Sequence, residues 1–193
     1  ANQIISQSGR FVDNEVAPLE PQADRSPPQM IDGRIKIEPQ VVAAARALYE
    51  GGWLGLSMPP ELGGQDLPRV LTTALLEMIS GASLNFMMLV SCPEAAMALI
   101  SNQGSEDQAK RYVPGLARGD FSSTIVLSEP QAGSDLSLMQ TKATQDQDGN
   151  WSISGNKVFI SNADHDLTPN IVHCILARVP EVGGGGLKDL TLF

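Results

Sequence analysis

The feature that most constrains the fold of this chain is a change in hydrophobic period at Gly119. Before Gly119, apolar residues recur every three or four positions, which places them on one face of an α-helix. After it, apolar and polar residues alternate, as in Phe121–Leu127, which is typical of a β-strand. The pattern predicts an α+β fold with an all-α domain over residues 1–119 followed by a β domain over residues 120–193.

The helices are predicted from apolar spacing together with start and stop residues. Proline suits the first turn of a helix at Pro39, and Ser91 and Ser105 each open a Ser-x-x-Glu/Gln capping box. Leu84–Val90 is a short apolar segment that shows no face, and Leu19–Lys36 is expected to be a polar connection. The predicted helices cover Ile4–Pro18, Pro39 to Gly51, Arg69–Ser80, Ser91–Asn102 and Ser105–Arg118.

The strands are predicted from alternation and from turn residues. Asp148-Gly149-Asn150 between two alternating runs is a strong hairpin signal. Ile171–Val179 is almost wholly apolar and β-branched, which predicts a strand covered on both faces. Gly183–Gly186 is expected to be a flexible link. The predicted strands cover Phe121–Leu127, Gln140–Gln147, Trp151–Ser154, Lys157–Ser161, Ile171–Val179 and Asp189–Phe193.

Charge and composition exclude several classes of protein. The formal net charge of −9 and the absence of clustered Lys and Arg argue against a nucleic-acid partner or an anionic membrane surface. No apolar run approaches the ~20 residues that a membrane-spanning helix needs, so no membrane span is predicted. Cys92 and Cys174 lie in apolar surroundings and form no Cys-x-x-Cys pair. They are expected to be buried free thiols in a reducing compartment such as the cytoplasm.

The stretch Leu127–Asp135, LSEPQAGSD, is the first candidate for a binding site. Pro130 ends the preceding strand because proline has no N–H to donate. Small residues follow it, so that backbone N–H groups can approach a planar or anionic ligand, and Ser128 and Ser134 add hydroxyls. On this chemistry alone an ordinary turn is the favoured interpretation, because Ser, Gly and Pro are common turn residues.

Two blocks of sequence resemble the acyl-CoA dehydrogenase family. Leu127–Asp135 is similar to the family's signature loop, usually written (V/L)(T/S)EPxAGSD. Asn156–Asn162, NKVFISN, is similar to a second block, usually (N/Q)Kx(W/F)I(T/S)N, and follows at the expected distance. Trp53–Gly64 is similar to a third, less specific segment. The resemblance implies that the β domain is an antiparallel, barrel-like middle domain, here incomplete.

The resemblance also implies FAD as the cofactor and assigns contacts to it in the first block. The main chain around Ile125, Leu127 and Ser128 matches positions that meet the pyrimidine side of the flavin. Gly133 and Ser134 match residues that approach FAD, and the position of Ser134 also lies near the coenzyme A part of the substrate.

In the second block, the resemblance assigns Phe159 to the aromatic position that packs against the isoalloxazine. Ser161 matches a Thr/Ser whose hydroxyl reaches the N5 and O4 edge of the ring, where a donor stabilises charge on the reduced flavin. From the residues alone, Phe159 is expected to be a core aromatic on a strand, and Ser134 and Ser161 are expected to be turn residues.

The implied activity is α,β-dehydrogenation of an acyl-CoA thioester, with hydride transfer to flavin N5. In the family a glutamate in a C-terminal helical domain takes the α-proton, so no catalytic residue is expected in this chain. The implied partners are an acyl-CoA substrate, electron-transfer flavoprotein or a similar acceptor, and further copies of the protein in a homo-oligomer. Two alternatives stay open: an acyl-CoA oxidase or nitroalkane-oxidase-like flavoenzyme, and a non-catalytic binding protein on the same fold.

Three titratable residues outside these assignments invite a role. His165 between Asp164 and Asp166 could suggest a metal, but adjacent side chains cannot converge as metal ligands must, so a solvated loop is expected. His173, amid apolar residues, is expected to be a hydrogen-bonded core histidine. Glu129 is expected to pair with backbone groups or a base rather than to abstract a proton.

Overall fold

A computed structural model describes residues 1–23, 25–179 and 186–193 of the chain. These form two compact units. The first consists of Ala1–Ser123 and Asn162–Val172, and the second of Thr124–Ser161 and His173–Phe193. The first unit is therefore not continuous in sequence, since it includes a segment that lies well beyond the predicted boundary at residue 119.

The first unit is helical, as predicted. The predicted helix Ile4–Pro18 begins as an α-helix and continues through a π-helical turn, Val12–Val16, and a 3₁₀ turn, Ala17–Leu19. The α-helices are α1 Asn2–Phe11, α2 Glu20–Ala23, α3 Pro39–Glu50, α4 Arg69–Ala82, α5 Leu84–Gln103 and α6 Glu106–Arg118. Their buried core is formed mainly by aliphatic side chains together with Phe86 and Met97.

The capping box predicted at Ser105 is present. The Ser105 hydroxyl accepts from the N–H of Gln108, and the Gln108 side chain accepts from the N–H of Ser105. Helix α6 then ends at Gly119, which adopts a left-handed conformation with φ of 77°. Local sequence therefore sets both ends of this helix.

The capping box predicted at Ser91 is wrong. Ser91 lies inside α5, where its hydroxyl donates to the carbonyl of Met88. The helix begins earlier because Ser83 is the N-cap, its hydroxyl accepting from the N–H of Phe86. The apolar segment Leu84–Val90 is thus the first third of one long helix, and Pro93 is accommodated within that helix.

Helix α5 contradicts the expectation that no apolar run approaches the length of a membrane-spanning helix. Leu84–Gln103 is long and apolar enough, by length and composition, to cross a membrane. Helices in the core of a globular protein can have the same length and apolar composition. Helix α5 contacts both α4 and α6 and buries Phe86, Val90 and Met97, as a core helix does. Its one acidic residue, Glu94, is buried and forms an ion pair with Arg69 at 2.9 Å.

The connection Leu19–Lys36 contains structure that the sequence did not indicate. A short antiparallel hairpin pairs β1 Gln29–Ile31 with β2 Arg34–Lys36. The side chain of Asp164 accepts from the N–H of Ile35, and that of Asp166 from the N–H of Ile37. The hairpin is thus held by a distant loop, which no local pattern reveals.

The second unit carries most of a five-stranded sheet. Its strands are β3 Ser122–Val126, β4 Lys142–Gln145, β5 Trp151–Ser154, β6 Ile171–Arg178 and β7 Leu190–Leu192. The order is β3-β6-β4-β5, with β7 also pairing β6. The predicted β4–β5 hairpin and the last strand are confirmed. The sheet is mixed rather than purely antiparallel, because β4 and β6 pair in parallel.

Two further expectations for the strands are wrong, and one is untested. Lys157–Ser161 is not a strand: Phe159 has a φ of 59° and Asn162 a φ of 60°, and left-handed backbone interrupts a ladder. Strand β6 is central, but its faces are only partly covered and His173 is exposed. Of the predicted link Gly183–Gly186, all but Gly186 lies outside the described residues.

We expect Gly119 to be required for packing as well as for its backbone conformation. A Cβ there would lie 2.4 Å from the ring of Tyr49, whereas Gly33, also at positive φ, has open space around it. Gly33→Ala should cost about 1–2 kcal/mol through backbone strain alone. Gly119→Ala should cost about 1–3 kcal/mol more through steric overlap. Urea unfolding of the chain followed by far-UV circular dichroism measures both, and equal losses would contradict the packing argument.

Candidate flavin site

The first sequence block leaves strand β3 as a compact turn. The N–H of Glu129 donates to the carbonyl of Ala132 at 3.0 Å, and the N–H of Ala132 donates back at 3.1 Å. Pro130 and Gln131 form the exposed tip of this turn, while Ala132 is fully buried. Strand β3 ends at Val126, several residues before the predicted stop at Pro130, and the turn is closed by its own backbone.

The second block lies against the first. The N–H of Val158 donates to the carbonyl of Ser128 at 3.0 Å. The ammonium of Lys157 donates to the carbonyl of Leu127 at 2.9 Å and to the carboxylate of Glu129 at 3.0 Å. The structure thus brings together two segments that are separated by the β4–β5 hairpin.

The pair of Glu129 and Lys157 is buried, with 2% and 11% of their side chains exposed. Glu129 also accepts from the N–H groups of Gln140 and Thr141, at 2.7 and 3.0 Å, and from the side chain of Gln131. The expected structural role of Glu129 is confirmed. Its carboxylate links the first block, the start of β4 and the second block.

Electrostatics keep Glu129 ionised. Burial by itself would raise the pKa of this carboxyl group, but hydrogen bonds from Thr141, Gln140 and Lys157 outweigh that effect and lower the pKa to about 2. Because a general base works best with a pKa near the operating pH, Glu129 is not suited to proton abstraction.

Phe159 is not a core residue. It is 95% exposed, although it is a large aromatic side chain, and it has the left-handed φ of 59°. Such a conformation is an outlier for a bulky residue and is found disproportionately at functional sites. The core interpretation of Phe159 is therefore wrong, and an exposed, strained aromatic ring is what a planar ligand can stack against.

The remaining candidate residues line the same two segments. Ile125, Leu127 and Ser128 are half-buried at the end of β3, and Gly133, Ser134 and Ser161 are exposed. Gly133 has no positive φ, and a Cβ there would meet nothing within 4 Å. Nothing in the described part of the chain therefore requires glycine at this position, whereas close approach of a ligand would.

These segments have polar groups available for a ligand. Within residues 1–23, 25–179 and 186–193, the hydroxyls of Ser128, Ser134 and Ser161 make no hydrogen bond. The N–H groups of Gly133 and Ser134 likewise donate to no described residue. An exposed aromatic ring, free hydroxyls and free backbone donors fit an aromatic, polar-edged group such as a flavin.

The two histidines differ from their predicted surroundings. His165 is buried rather than solvated, its Nδ1 accepts from the N–H of Leu167, and burial lowers its pKa. Asp164 and Asp166 face the β1–β2 hairpin, and no cluster of metal-ligating residues occurs in the described part of the chain. His173 is hydrogen-bonded as predicted, with Thr124 at 2.7 Å, but it is exposed rather than part of the core.

The cysteines match expectation in part. Cys92 and Cys174 are both free thiols. Cys174 is buried, and burial raises the pKa of its thiol, whereas Cys92 is only half-buried.

The residue that the sequence analysis missed is Lys157. It is the only charged residue between Trp151 and Asn162. A single lysine before the apolar run Val158–Ile160, in a segment without another charge, suggests a buried partner, because an unpaired buried ammonium is costly. This sequence signal is consistent with the observed pairing of Lys157 with Glu129.

We expect Glu129 to stabilise the fold in a pH-dependent manner. Its pKa falls from the ordinary 4.5 to about 2 on folding, so its stabilisation is complete above pH 4.5 and is lost as the pH falls toward 2. Glu129→Gln should lower the free energy of unfolding at neutral pH by about 3 kcal/mol, and the deficit should shrink toward pH 2.

Glu106→Gln is the matched control, since Glu106 forms an exposed ion pair with Lys110 and should contribute little. Chemical denaturation at several pH values measures both variants. A Glu129→Gln deficit that is constant with pH would contradict the prediction.

The comparisons with known proteins agree over the whole chain. Residues 1–120 match the model of the acyl-CoA dehydrogenase N-terminal domain, and residues 124–188 match that of the middle domain. A 3-methylmercaptopropionyl-CoA dehydrogenase of Ruegeria pomeroyi is 36% identical over 193 residues, which cover all of this chain and 33% of that protein. A broad-specificity linear acyl-CoA dehydrogenase of Mycobacterium tuberculosis is 36% identical over 197 residues, covering all of this chain and 32% of that protein.

A solved structure supports the same fold. The structure of a Bacillus anthracis acyl-CoA dehydrogenase complexed with FAD matches all of this chain and 30% of its own length, with a TM-score of 0.76 and 24% identity. The chain spans about a third of the length of the curated relatives it matches. It belongs to the acyl-CoA dehydrogenase family.

Proposed function

We propose that this chain is the part of an FAD-dependent acyl-CoA dehydrogenase that holds the flavin ring. The observation that carries the proposal is the joining of the two sequence blocks through Glu129, Lys157 and the Val158–Ser128 hydrogen bond. Beside this joint lie an exposed aromatic ring and polar groups without partners among the described residues.

FAD, when bound, accepts a hydride at N5. Toward that group, Ser161 would offer a hydroxyl donor at the N5 and O4 edge, and Phe159 would pack on the ring face. The main chain at Ile125, Leu127 and Ser128 would meet its pyrimidine side, while the carbonyl of Ser128 is already used by Val158. A donor held in place before the reaction stabilises developing negative charge without reorganisation.

The substrate class that we propose is an acyl-CoA thioester, since the two relatives described above are named as dehydrogenases of such compounds. Ser134 and Gly133 would lie nearest to its coenzyme A part. The base for the α-proton would come from a part of the protein outside these 193 residues. The electron acceptor would be electron-transfer flavoprotein or a similar protein, in a cytoplasmic homo-oligomer.

The test of the activity uses the full-length protein that contains this chain. The purified protein should show a flavin absorbance spectrum and should reduce an artificial electron acceptor when an acyl-CoA is added. Oxygen consumption in place of acceptor reduction would indicate an oxidase, and absence of flavin would overturn the proposal.

We predict that residues 1–193 alone do not turn over acyl-CoA, because both carboxylates of the first sequence block, Glu129 and Asp135, are kept ionised by hydrogen bonds and are poor bases. The hydroxyl and the N–H of Ser137 donate to Asp135 and lower its pKa. Glu129, the buried acid of the two, is fully hydrogen-bonded. An acceptor-reduction assay with the 193-residue chain and added FAD checks this. Turnover at the rate of the full-length protein would contradict it.

We predict that Phe159→Ala weakens FAD binding without weakening the fold. At 95% exposure the side chain contributes little to packing, whereas stacking on a flavin would be lost. The dissociation constant for FAD in the full-length protein should rise about tenfold, corresponding to about 1.4 kcal/mol. Flavin fluorescence titration measures the affinity, and thermal unfolding of the apoprotein measures the fold.

Met30→Ala is the control for that variant. Met30 is 72% exposed and lies in the β1–β2 hairpin of the first unit, whereas all candidate residues belong to the second unit. It should leave FAD affinity unchanged, and equal affinities of the two variants would contradict the role of Phe159.

A further inference from the structure

We infer that Lys157 and Glu129 are positioning residues for the cofactor, which set the spacing of the two flavin-facing segments through a buried ion pair. This inference rests on the proposed flavin site. Neither residue is proposed to contact the flavin directly. Each acts through adjacent residues: Lys157 binds the carbonyl of Leu127, and Val158, the next residue, binds the carbonyl of Ser128.

The ammonium of Lys157 has no capacity for another role. An ammonium has three N–H donors, and those of Lys157 go to the Leu127 carbonyl, the Glu129 carboxylate and, at 3.4 Å, the sulfur of Met139. Its side chain is 11% exposed. A lysine in this state does not bind a phosphate or a substrate, so its function has to be exerted through the groups that it holds.

The hydrogen-bonding capacity of the Glu129 carboxylate is likewise fully used. One oxygen accepts from Thr141 and Lys157, and the other accepts from Gln140 and Gln131. Each oxygen therefore has two donors, which matches the four lone-pair sites of a carboxylate. The same residue closes its own turn through backbone bonds with Ala132. Moving Glu129 would move both the signature turn and the second block.

Stability alone does not explain a buried ion pair at this place. Replacing such a pair with neutral side chains of similar size is often neutral or stabilising, because desolvation offsets the Coulomb attraction. What an ion pair adds is direction and distance, since each hydrogen bond tolerates only a narrow geometry. A site that binds a rigid ring needs its contacting segments held at a defined distance and orientation, and the ion pair can provide this.

The decisive variant removes both charges. In the full-length protein, Glu129→Gln combined with Lys157→Met should leave the thermal midpoint of the apoprotein within a few degrees of the wild type. The dissociation constant for FAD should nevertheless rise at least tenfold, and hydrogen exchange of the peptide containing the Val158 N–H should accelerate. The single variant Lys157→Met should be less stable than the double variant, because it leaves a buried carboxylate without its cation.

Lys157→Arg keeps the fold testable if the double variant does not fold. A planar guanidinium retains the charge but cannot reproduce three convergent ammonium bonds. It should keep a folded protein and bind FAD several-fold more weakly, with a changed visible spectrum of the bound flavin. Glu106→Gln combined with Lys110→Met removes an exposed ion pair of α6 and is the control, with unchanged affinity.

The outcomes separate this inference from the proposed function. A wild-type protein that does not bind FAD would overturn the flavin site itself. A wild-type protein that binds FAD, with a folded Lys157→Arg or double variant of equal affinity and spectrum, would overturn the positioning role alone. Weaker FAD binding in a variant of wild-type stability, together with faster exchange at Val158, supports it.

Discussion

The ion pair between Glu129 and Lys157 is the interaction on which the candidate site depends. Neither sequence block is a strand, so no ladder of backbone hydrogen bonds fixes one against the other. The single backbone bond from Val158 to Ser128 is supported by the three bonds of the lysine ammonium. The buried, fully hydrogen-bonded ion pair therefore fixes the two blocks relative to each other, as a ladder of backbone hydrogen bonds fixes neighbouring strands in a sheet.

The strained backbone next to the joint fits the same interpretation. Phe159 and Asn162 both adopt left-handed φ values. Asparagine tolerates this conformation, whereas for a bulky residue such as Phe159 it costs roughly 1 kcal/mol or more. Such strain persists only where surrounding contacts determine the conformation. Asn162 has one such contact, since its amide donates to the carbonyl of Met88 at 2.7 Å. Phe159 follows Lys157 and Val158 and is held through them, with its ring left in solvent.

Local pattern predicted most of the fold, and it failed where distant residues decide. The helices around Pro39 and Ser105 and the hairpin at Gly149 are determined within a few residues, and each was predicted. The start of α5 was not, because Ser83 and Ser91 are both plausible caps and only the burial of Phe86 and Leu89 favours the longer helix.

The same distinction applies to the site. A family resemblance located both blocks and the seven candidate residues, whose contact with a flavin stays a prediction. Periodicity gave the wrong structure for Lys157–Ser161, because VFI reads as a strand while Phe159 and Asn162 take left-handed backbone. The hold of Asp164 and Asp166 on the β1–β2 hairpin spans about 130 residues, which no local signal conveys.

The protonation state of Glu129 indicates that this residue supports the cofactor site and does not abstract the proton in the proposed reaction. An acid with a pKa of about 2 and four hydrogen-bond donors stays ionised and immobile at any physiological pH. Proton abstraction needs an acid whose pKa lies near the working pH and whose oxygen is free to reach the substrate. Tight hydrogen bonding fixes the position of Glu129. It also lowers the pKa of the carboxyl group and occupies both oxygens, so Glu129 lacks both properties of a base. In the proposed reaction Glu129 therefore acts by positioning the flavin-facing segments, and another residue has to take the proton.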